Sequence, residues 1–171
     1  MGKADIDMVL KWRNSDDVRR YMLSDVIIKP EDHLKWFQKN SNDESAELFI
    51  AEYKNSSIGV VTITEIEKKN NTCTWSMYIG EDVRNLGIGI LMNILAIDRM
   101  VNYHKIRKIW GQVLGSNRIV KMHERFGFKR EGVLESHIKR NGRFEDIILL
   151  GLFADQWLEN RQDLTNTFKI Y

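Results

Sequence analysis

The chain has 171 residues, of which 43% are hydrophobic and 29% charged, and its formal net charge at pH 7 is +2. This length allows one domain with a proper core and is too short for two, so residues 1–171 are predicted to form a single domain. Because the net charge is small and lysine and arginine are scattered, neither a nucleic acid nor an acidic membrane is expected as a partner.

The N-terminal half is predicted to begin with helices and to continue with strands. Apolar residues at helical spacing in "ADIDMVLKWRNSDDVRRYM" predict a helix that is broken at Asn14-Ser15. The segment "KPEDHLKWFQKN" predicts a second helix, which begins at Pro30 and buries Leu34 and Phe37. Short polar turns then separate three strand-like segments, "ELFIAEY", "IGVVTITEI" and "TCTWSMYI". These three segments predict an antiparallel meander.

The C-terminal half alternates between helix and strand patterns. "ILMNILAIDRMVNYH" is apolar around most of its circumference, which predicts a helix buried against a sheet, and "KIRKIWGQVL" follows as a strand. "SNRIVKMHERFGF" predicts a short helix with Ser116 or Asn117 as N-cap and Gly127 as terminator. Two last strands are predicted to join at Asn141-Gly142 in a type I′ hairpin. This order predicts an α/β fold, one mixed sheet with helices on both faces.

Cysteine, histidine and the apolar runs exclude further kinds of site. Cys73 is the only cysteine, so an internal disulfide is excluded, and the four histidines lack the spacing of metal ligands. No metal is therefore expected. The N-terminus carries no apolar run after its basic residue, and no segment approaches the roughly 20 apolar residues that cross a bilayer. We expect a soluble cytoplasmic protein without a signal peptide.

The segment "DVRNLGIGIL", residues 82–91, lies between a predicted strand and a predicted helix. Free N–H groups and the helix dipole make a helix N-terminus a site for anions, and Gly87 and Gly89 would let a phosphate approach the backbone. Arg84 can add a charge-assisted contact. Tight packing of the helix on its strand explains the two glycines equally well. The missing third glycine argues against a dinucleotide fingerprint, and the absent Gly-Lys-Ser/Thr against a Walker loop.

The ordered combination of R-x-x-G-x-G, a strand ending at Asn117 and a short helix closing on "FGF" resembles the Gcn5-related N-acetyltransferase superfamily. The likeness covers nearly the whole chain and implies a mixed, mostly antiparallel sheet that is splayed at its middle. It also implies acetyl-CoA as cosubstrate, with the pyrophosphate on the loop amides and the pantetheine arm on the preceding strand. The residues implied to bind the coenzyme are Met77, Tyr78, Ile79, Arg84, Asn85, Leu86, Gly87, Ile88, Gly89 and Asn117. Taken singly, "WSMYI" is equally a buried strand and Asn117 equally a helix cap.

Acetyl transfer needs a neutral amine, a thioester within reach, stabilisation of the oxyanion and a proton for the thiolate. The superfamily often supplies this proton from a tyrosine four residues before the "GF" glycine, and His123 occupies that position here. Histidine can donate a proton near neutral pH, since its reference pKa is about 6.5. The alternatives are a merely packed or surface histidine, with Tyr78, Ser76 or water as donor. The resemblance implies a backbone N–H near Tyr78 for the oxyanion, and water can serve as the base.

The segments "LKWRNSDDVRRYM", "EDHLKWF" and "IGVVTITEI" resemble the acetyltransferases of pseudaminic acid biosynthesis, which act on the 4-amino group of a UDP-linked amino-deoxy sugar. This resemblance implies that Arg13, His33, Thr64 and Trp75 bind the acceptor. Each has another explanation: a helix cap for Arg13, a solvent-facing helix residue for His33, an ordinary strand residue for Thr64 and core for Trp75. A homodimer is expected by analogy. The edge strand that family members place before the first helix is short or missing here.

Two further hypotheses concern the acceptor and the activity. The C-terminal pattern E-G…N-G-R-F-x-D is shared with ribosomal-protein N-terminal acetyltransferases, so a peptide acceptor in an open groove is one of them. The other is a coenzyme-binding module without catalysis. His123 in the place of the usual proton donor is the only feature that favours this module.

Overall fold

A computed structural model describes residues 1–81 and 87–168, with the backbone alone at Phe168. The helices within these ranges are α1 (Ile6–Asn14), α2 (Asp16–Arg19), α3 (Pro30–Ser41), α4 (Ile88–Asp98), α5 (Ile119–Arg125) and α6 (Ala154–Phe168). The strands are β1 (Glu47–Tyr53), β2 (Ser56–Glu67), β3 (Thr72–Ile79), β4 (Lys108–Leu114), β5 (Lys129–Arg140) and β6 (Arg143–Phe153). A 3₁₀ turn, Lys3–Asp5, precedes α1, and a π-helical turn, Arg99–Tyr103, continues α4.

The predicted helix break at Asn14-Ser15 is confirmed. Ser15 has extended backbone angles, and its hydroxyl accepts a hydrogen bond from the Val18 N–H, so it caps α2. The burial predicted for α3 is wrong at one of its two positions. Leu34 is 43% exposed, whereas Phe37 is 5% exposed and His33, one turn earlier, is also buried. Residues four apart share one helix face, so the buried face of α3 contains His33 and Phe37. It is shifted by about one residue from the face that was predicted to be buried.

Two hairpins have the turns that their sequences favour. Asn141 and Gly142, between β5 and β6, have φ values of 46° and 78°, as a type I′ turn requires. Lys54 and Asn55, between β1 and β2, have φ values of 48° and 61°. Each turn therefore joins two neighbouring antiparallel strands with the twist that sheets prefer.

The six strands form one mixed sheet in the order β1-β2-β3-β4-β6-β5. Neighbouring strands are antiparallel except β3 and β4, which run parallel. A parallel pair needs a crossover connection, and α4 lies in that connection. The predicted meander of the first three strands and the mixed sheet are confirmed.

Two hydrophobic clusters lie on opposite faces of this sheet. The larger cluster joins α4, α5 and α6 to strand residues such as Ile63 and Cys73. The smaller joins Val9 and Trp12 of α1 to Val60 of β2. Residues of opposite parity on a strand point to opposite faces, so Val60 and Ile63 lie under different helices. The predicted α/β architecture, with helices on both faces, is confirmed.

The two ends of the described chain are tied to the rest of the domain. The N-terminal amine of Met1 donates a hydrogen bond to the Leu48 carbonyl at the edge of β1, and in the described part no strand precedes α1. At the other end, the Trp157 indole N–H donates to Asp98 Oδ1 over 3.0 Å, and the Arg161 guanidinium binds both oxygens of the same carboxylate. The C-terminal helix is thereby docked onto α4. No helix in the described ranges is long and apolar enough to cross a membrane.

Candidate active site

The two parallel strands at the centre of the sheet separate part-way along their length. β3 and β4 pair only from Thr72 opposite Lys108 to Thr74 opposite Trp110. Beyond Trp110, β4 continues to pair with β6, and β3 continues to pair with β2. The facing edges of β3 and β4 therefore carry backbone N–H and C=O groups that the sheet does not use. The predicted splay at the middle of the sheet is confirmed, and an amide-bearing ligand can pair with these edges.

A cavity of about 810 Å³ lies at this splay, and its lining has two chemically different parts. The apolar part, on the face covered by α4 and α5, includes Trp75, Met77, Ile79, Met122 and His123. The polar part includes Asp17, Thr64, Glu65, Thr74, Ser76 and Tyr78. Because side chains alternate along β3, the two parts meet along one strand. A ligand on each side of β3 can thus reach the same reacting centre.

The structure brings together several of the predicted coenzyme-binding residues. Met77, Tyr78, Ile79, Gly89 and Asn117 all line the cavity. Gly87 is the N-cap residue of α4, and Ile88, the first residue of the helix, is buried. Arg84, Asn85 and Leu86 lie outside the described residues.

The packing of the described residues around the two loop glycines bears on the two explanations that the sequence left open. A Cβ added at Gly87 would meet no described atom within 4 Å, and one added at Gly89 would lie 3.6 Å from Ile79 Cδ1, an ordinary contact. Neither residue has a positive φ that would demand glycine. The described packing therefore does not require them, which favours close approach of a ligand to the backbone.

Asn117 has the geometry of a helix cap as well as a place in the cavity. Its Oδ1 accepts a hydrogen bond of 3.0 Å from the Ile119 N–H at the start of α5, and its own N–H donates to the Leu114 carbonyl. The N-cap residue itself is Arg118, so the predicted N-cap at Ser116 or Asn117 is wrong by one or two residues, and Asn117 makes its contact from the position before the cap. Gly127 ends the helix with a φ of 97°, as predicted. Contact of Asn117 with the coenzyme stays a prediction.

His123 is enclosed by aromatic rings. The residue is 5% exposed, its ring lies edge-on to Trp75 at 5.3 Å, and Phe128 lies at the same distance on another side. Its Nδ1 is buried and has no hydrogen-bond partner among the described residues. Burial lowers the pKa of His123 to about 4, because the charged ring would lose its hydration. At neutral pH the imidazole is therefore uncharged.

This low pKa predicts that acid destabilises the protein through His123. The unfolded chain binds a proton near pH 6.5 and the folded chain only near pH 4, so the stabilisation is complete above pH 6.5 and is lost as the pH falls towards 4. Within that window the free energy of unfolding should fall by up to about 1.4 kcal/mol per pH unit. His123→Phe, which keeps an aromatic ring beside Trp75, should make the slope shallower in urea unfolding at pH 7, 6 and 5. Burial also lowers the pKa of His33, so part of the slope should remain. An unchanged slope in the variant would contradict the prediction.

Tyr78 lines the polar part, and Arg13 lies near enough to interact with it electrostatically. Tyr78 is packed against the α1 cluster, and burial raises the pKa of its phenol, which therefore keeps its proton at neutral pH. The Arg13 guanidinium acts on the phenol electrostatically, and burial lowers the pKa of Arg13 itself. Arg13 Nη2 donates to the Ser24 carbonyl, and its Nη1 is buried with no hydrogen-bond partner in residues 1–81 or 87–167. Arg13 is thus behind the lining and is not part of it.

The other predicted acceptor residues fall in three different places. His33 is buried between α3 and α1, stacked on Trp36 at 5.2 Å, and is not part of the cavity lining. Trp75 lines the apolar part, where it stacks on Phe128 at 4.7 Å. Thr64 lines the polar part. The structure therefore brings Thr64 and Trp75 to one cavity but leaves Arg13 and His33 outside it, and their acceptor roles stay predictions.

Several polar residues of the cavity were missed by the sequence reasoning. Asp17 and Glu65 are the two carboxylates among the described lining residues, and Asn93 is a polar side chain within the apolar helix α4. The Asn93 amide N–H donates to the Gly89 carbonyl over 2.9 Å. The sequence contained two signals for these residues: the polar Asn93 within the apolar segment "ILMNILAI", and the consecutive polar pair Thr64-Glu65. In the described ranges no group of carboxylate, histidine or cysteine side chains could hold a metal.

Comparison with known proteins adds a family and a fold. The family model for an acetyltransferase (GNAT) domain matches residues 1–149. Acetyltransferase PseH from Campylobacter jejuni (strain 81-176) is 29% identical over 93 residues, which are 54% of this chain. The match spans 57% of the length of that relative, just over half. Spermidine N(1)-acetyltransferase from Escherichia coli K12 is 22% identical over 91% of this chain and 84% of its own. Spermidine N-acetyltransferase from Vibrio cholerae, solved with CoA and spermine, superposes with a TM-score of 0.85 at 19% identity, covering 92% of this chain and 95% of its own.

Proposed function

The chain belongs to the GNAT acetyltransferase family, and from this premise we propose that it acetylates the amino group of a nucleotide-linked amino sugar. It is an acetyl-CoA-dependent N-acetyltransferase. The proposed acceptor is the 4-amino group of a UDP-linked 4-amino-4,6-dideoxy sugar, which the likeness to PseH supports. The single observation that carries the proposal is the cavity at the strand splay, with an apolar part and a hydroxyl-bearing part on either side of β3.

The apolar part suits the donor. The unpaired edge of β3 at Met77–Ile79 offers backbone groups to the amides of a pantetheine arm. The free N–H groups in the first turn of α4 suit the pyrophosphate, and Gly87 and Gly89 add no side chain of their own to that turn. We assign the acetyl-CoA site to this part of the cavity.

The polar part suits a sugar. Thr64, Thr74, Ser76 and Tyr78 present hydroxyl groups, which can donate and accept hydrogen bonds with an acetamido group and ring hydroxyls. Behind them, the Arg13 guanidinium has a buried N–H that no described group accepts, and we keep it as a group for an acceptor oxygen or phosphate. His33 and Trp75 stay predicted acceptor residues.

In the proposed reaction the neutral amine attacks the thioester carbonyl carbon, the C–S bond breaks and the sulfur leaves as a thiolate that takes up a proton. A backbone N–H near Tyr78 is the predicted partner of the oxyanion. His123 is uncharged at neutral pH, so only a small fraction of the molecules could donate a ring proton as an imidazolium. Tyr78 keeps its proton at that pH. The variant His123→Phe also tests the assignment of the acid, because a kcat close to that of the wild type would remove His123 from the mechanism.

A polyamine is the second candidate acceptor, since spermidine acetyltransferases match most of this chain. A polycation needs several free carboxylates. Of the two described carboxylates in the cavity, Asp17 is already paired with Arg20 at 2.6 Å. One unpaired carboxylate fits a single amino group better than a chain of them. A ribosomal-protein N-terminus and a module without catalysis stay the remaining alternatives, and a homodimer stays a prediction.

An acceptor panel tests the proposal. Purified protein is incubated with acetyl-CoA and, in turn, the UDP-linked 4-amino sugar, spermidine and a ribosomal N-terminal peptide, and the release of free thiol is followed. We expect kcat/KM for the amino sugar to exceed that for spermidine by about 100-fold. When spermidine is bound, the hydroxyl groups of the polar part would lack the hydrogen-bond partners that the sugar provides. Preference for spermidine or for the peptide would overturn the proposal. Tight binding of coenzyme without turnover of any amine would favour the inactive module.

A further inference from the structure

The β2 strand contains an irregularity beside the cavity. The β2–β3 ladder pairs Thr64 with Thr74 and next pairs Glu67 with Thr72, so two residues of β2 stand opposite one residue of β3. Glu65 is one of those two, and its φ is 53°, in the left-handed region. Glu65 and Ser136 are the two non-glycine residues with positive φ inside the described strands. Such backbone strain at a bulge is typical of positions next to functional sites.

The bulge changes which side chain enters the core. Ile63 is completely buried, so in a regular strand residue 65 would share its face and a glutamate would be buried there. The extra residue lets Ile66 pack against the core instead. The Ile66 N–H leaves the β2–β3 ladder and donates to the Ser45 carbonyl over 3.0 Å, which holds the bulge. As a result Glu65 remains exposed and is one of the residues that line the cavity.

The surroundings of Glu65 leave its carboxylate available. In the described part of the chain, no hydrogen bond or ion pair engages this side chain, whereas Asp17, the other carboxylate of the lining, is held by Arg20. The neighbouring lining residues Thr64 and Thr74 carry hydroxyl groups. An unpaired carboxylate among hydroxyls is the arrangement that binds the amino group of a polar molecule.

We propose that Glu65, presented by this bulge, binds the amino group of the acceptor and accepts the proton that the amine loses. This inference rests on the proposed transfer of an acetyl group to an amine. The nitrogen lone pair forms the new C–N bond, the C–S bond electrons leave with the sulfur, and the N–H proton passes through water in the cavity to a carboxylate oxygen of Glu65, which lies opposite Thr72–Thr74 and too far from Tyr78 for direct transfer. The thiolate takes its proton from the separate donor discussed above. Glu65 then returns its proton to solvent when the amide product leaves.

The variant Glu65→Gln tests this role, because it keeps the volume and removes the charge. We expect kcat/KM for the acceptor to fall by about 100-fold, the size of a general-base contribution, while the Kd of acetyl-CoA changes less than twofold. Glu65→Asp should recover part of the activity. Glu65→Gly, which suits the positive φ, should lower activity as strongly as Glu65→Gln and keep the thermal midpoint. Glu52→Gln, at an exposed strand position beside the β1 irregularity and away from the cavity, is the matched control.

The kinetics are measured with whichever amine the wild-type protein acetylates in the panel. If the wild-type protein acetylates another amine but not the amino sugar, the proposed acceptor is wrong, and the role of Glu65 is still tested with that other amine. Retention of more than half of the wild-type kcat/KM by Glu65→Gln would overturn the role of Glu65. A loss of kcat/KM in Glu52→Gln as large as that in Glu65→Gln would also overturn the role of Glu65. So would the absence of turnover with every amine in the panel.

Discussion

The double variant Gly87→Ala/Gly89→Ala should fold as well as the wild type and bind acetyl-CoA about 100-fold more weakly. The packing has room for both methyl groups, since no described atom lies within 4 Å of the first and the second meets Ile79 Cδ1 at 3.6 Å. Alanine is the better helix former at position 89, inside α4, but the poorer residue at the N-cap position 87, so the two effects oppose each other and the free energy of unfolding should change by less than about 1 kcal/mol. A methyl group over the first turn of α4 would nevertheless hold a phosphate away from the N–H groups. Hydrogen bonds to charged groups are worth about 1.5–3 kcal/mol each, which sets the expected loss of affinity.

Calorimetry with acetyl-CoA and urea unfolding of the free protein measure the two quantities separately. Gly2→Ala is the control, because its added Cβ would meet nothing closer than 3.9 Å and the residue is remote from the cavity lining. An affinity within twofold of the wild type would remove the pyrophosphate from this turn. A marked loss of stability would instead support tight packing as the reason for the glycines.

The single variant Gly80→Ala should have the opposite effect, a large loss of stability. Gly80 follows β3 directly, and an added Cβ would lie 2.2 Å from Cγ and Cδ2 of Trp12. The Trp12 ring cannot move aside easily, because it is buried in the α1 cluster and its indole N–H donates to Glu81 Oε1 over 2.8 Å. Helix α1 must therefore shift away from the sheet. We expect the free energy of unfolding to fall by about 3 kcal/mol, measured by urea unfolding.

A double-mutant cycle with Trp12→Leu isolates this clash. Leucine should cost stability by itself, because it leaves part of the space of the indole empty and removes the hydrogen bond to Glu81. In the combination with Gly80→Ala the two losses should be clearly less than additive, since the smaller side chain relieves the overlap. Strict additivity, or a Gly80→Ala protein as stable as the wild type, would contradict the contact. Packing thus requires a glycine at Gly80, just before the segment that first suggested a ligand, and does not require one at Gly87 or Gly89 among the described residues.

Local patterns predicted the elements whose form depends on near neighbours. The break at Asn14-Ser15, the helix end at Gly127 and the turn at Asn141-Gly142 each depend on a side chain or φ preference within a few residues. The error at Leu34 has a related cause. A short amphipathic helix defines its buried face only to within about one residue, and the neighbouring elements choose the rotation.

The amino-acid sequence by itself determined the order of helices and strands, the mixed sheet and the presence of a glycine-bearing helix start after the third strand, because these features depend on periodicity and turn chemistry. Only the tertiary structure decided that β3 and β4 part after Thr74, that His123 is enclosed by rings, and that Glu65 is exposed at a bulge. The same contacts left Arg13 and His33 off the cavity lining. Each of these features depends on residues that are far apart in the chain. A local sequence pattern does not show which distant side chain will pack against a residue or bury an ionisable group.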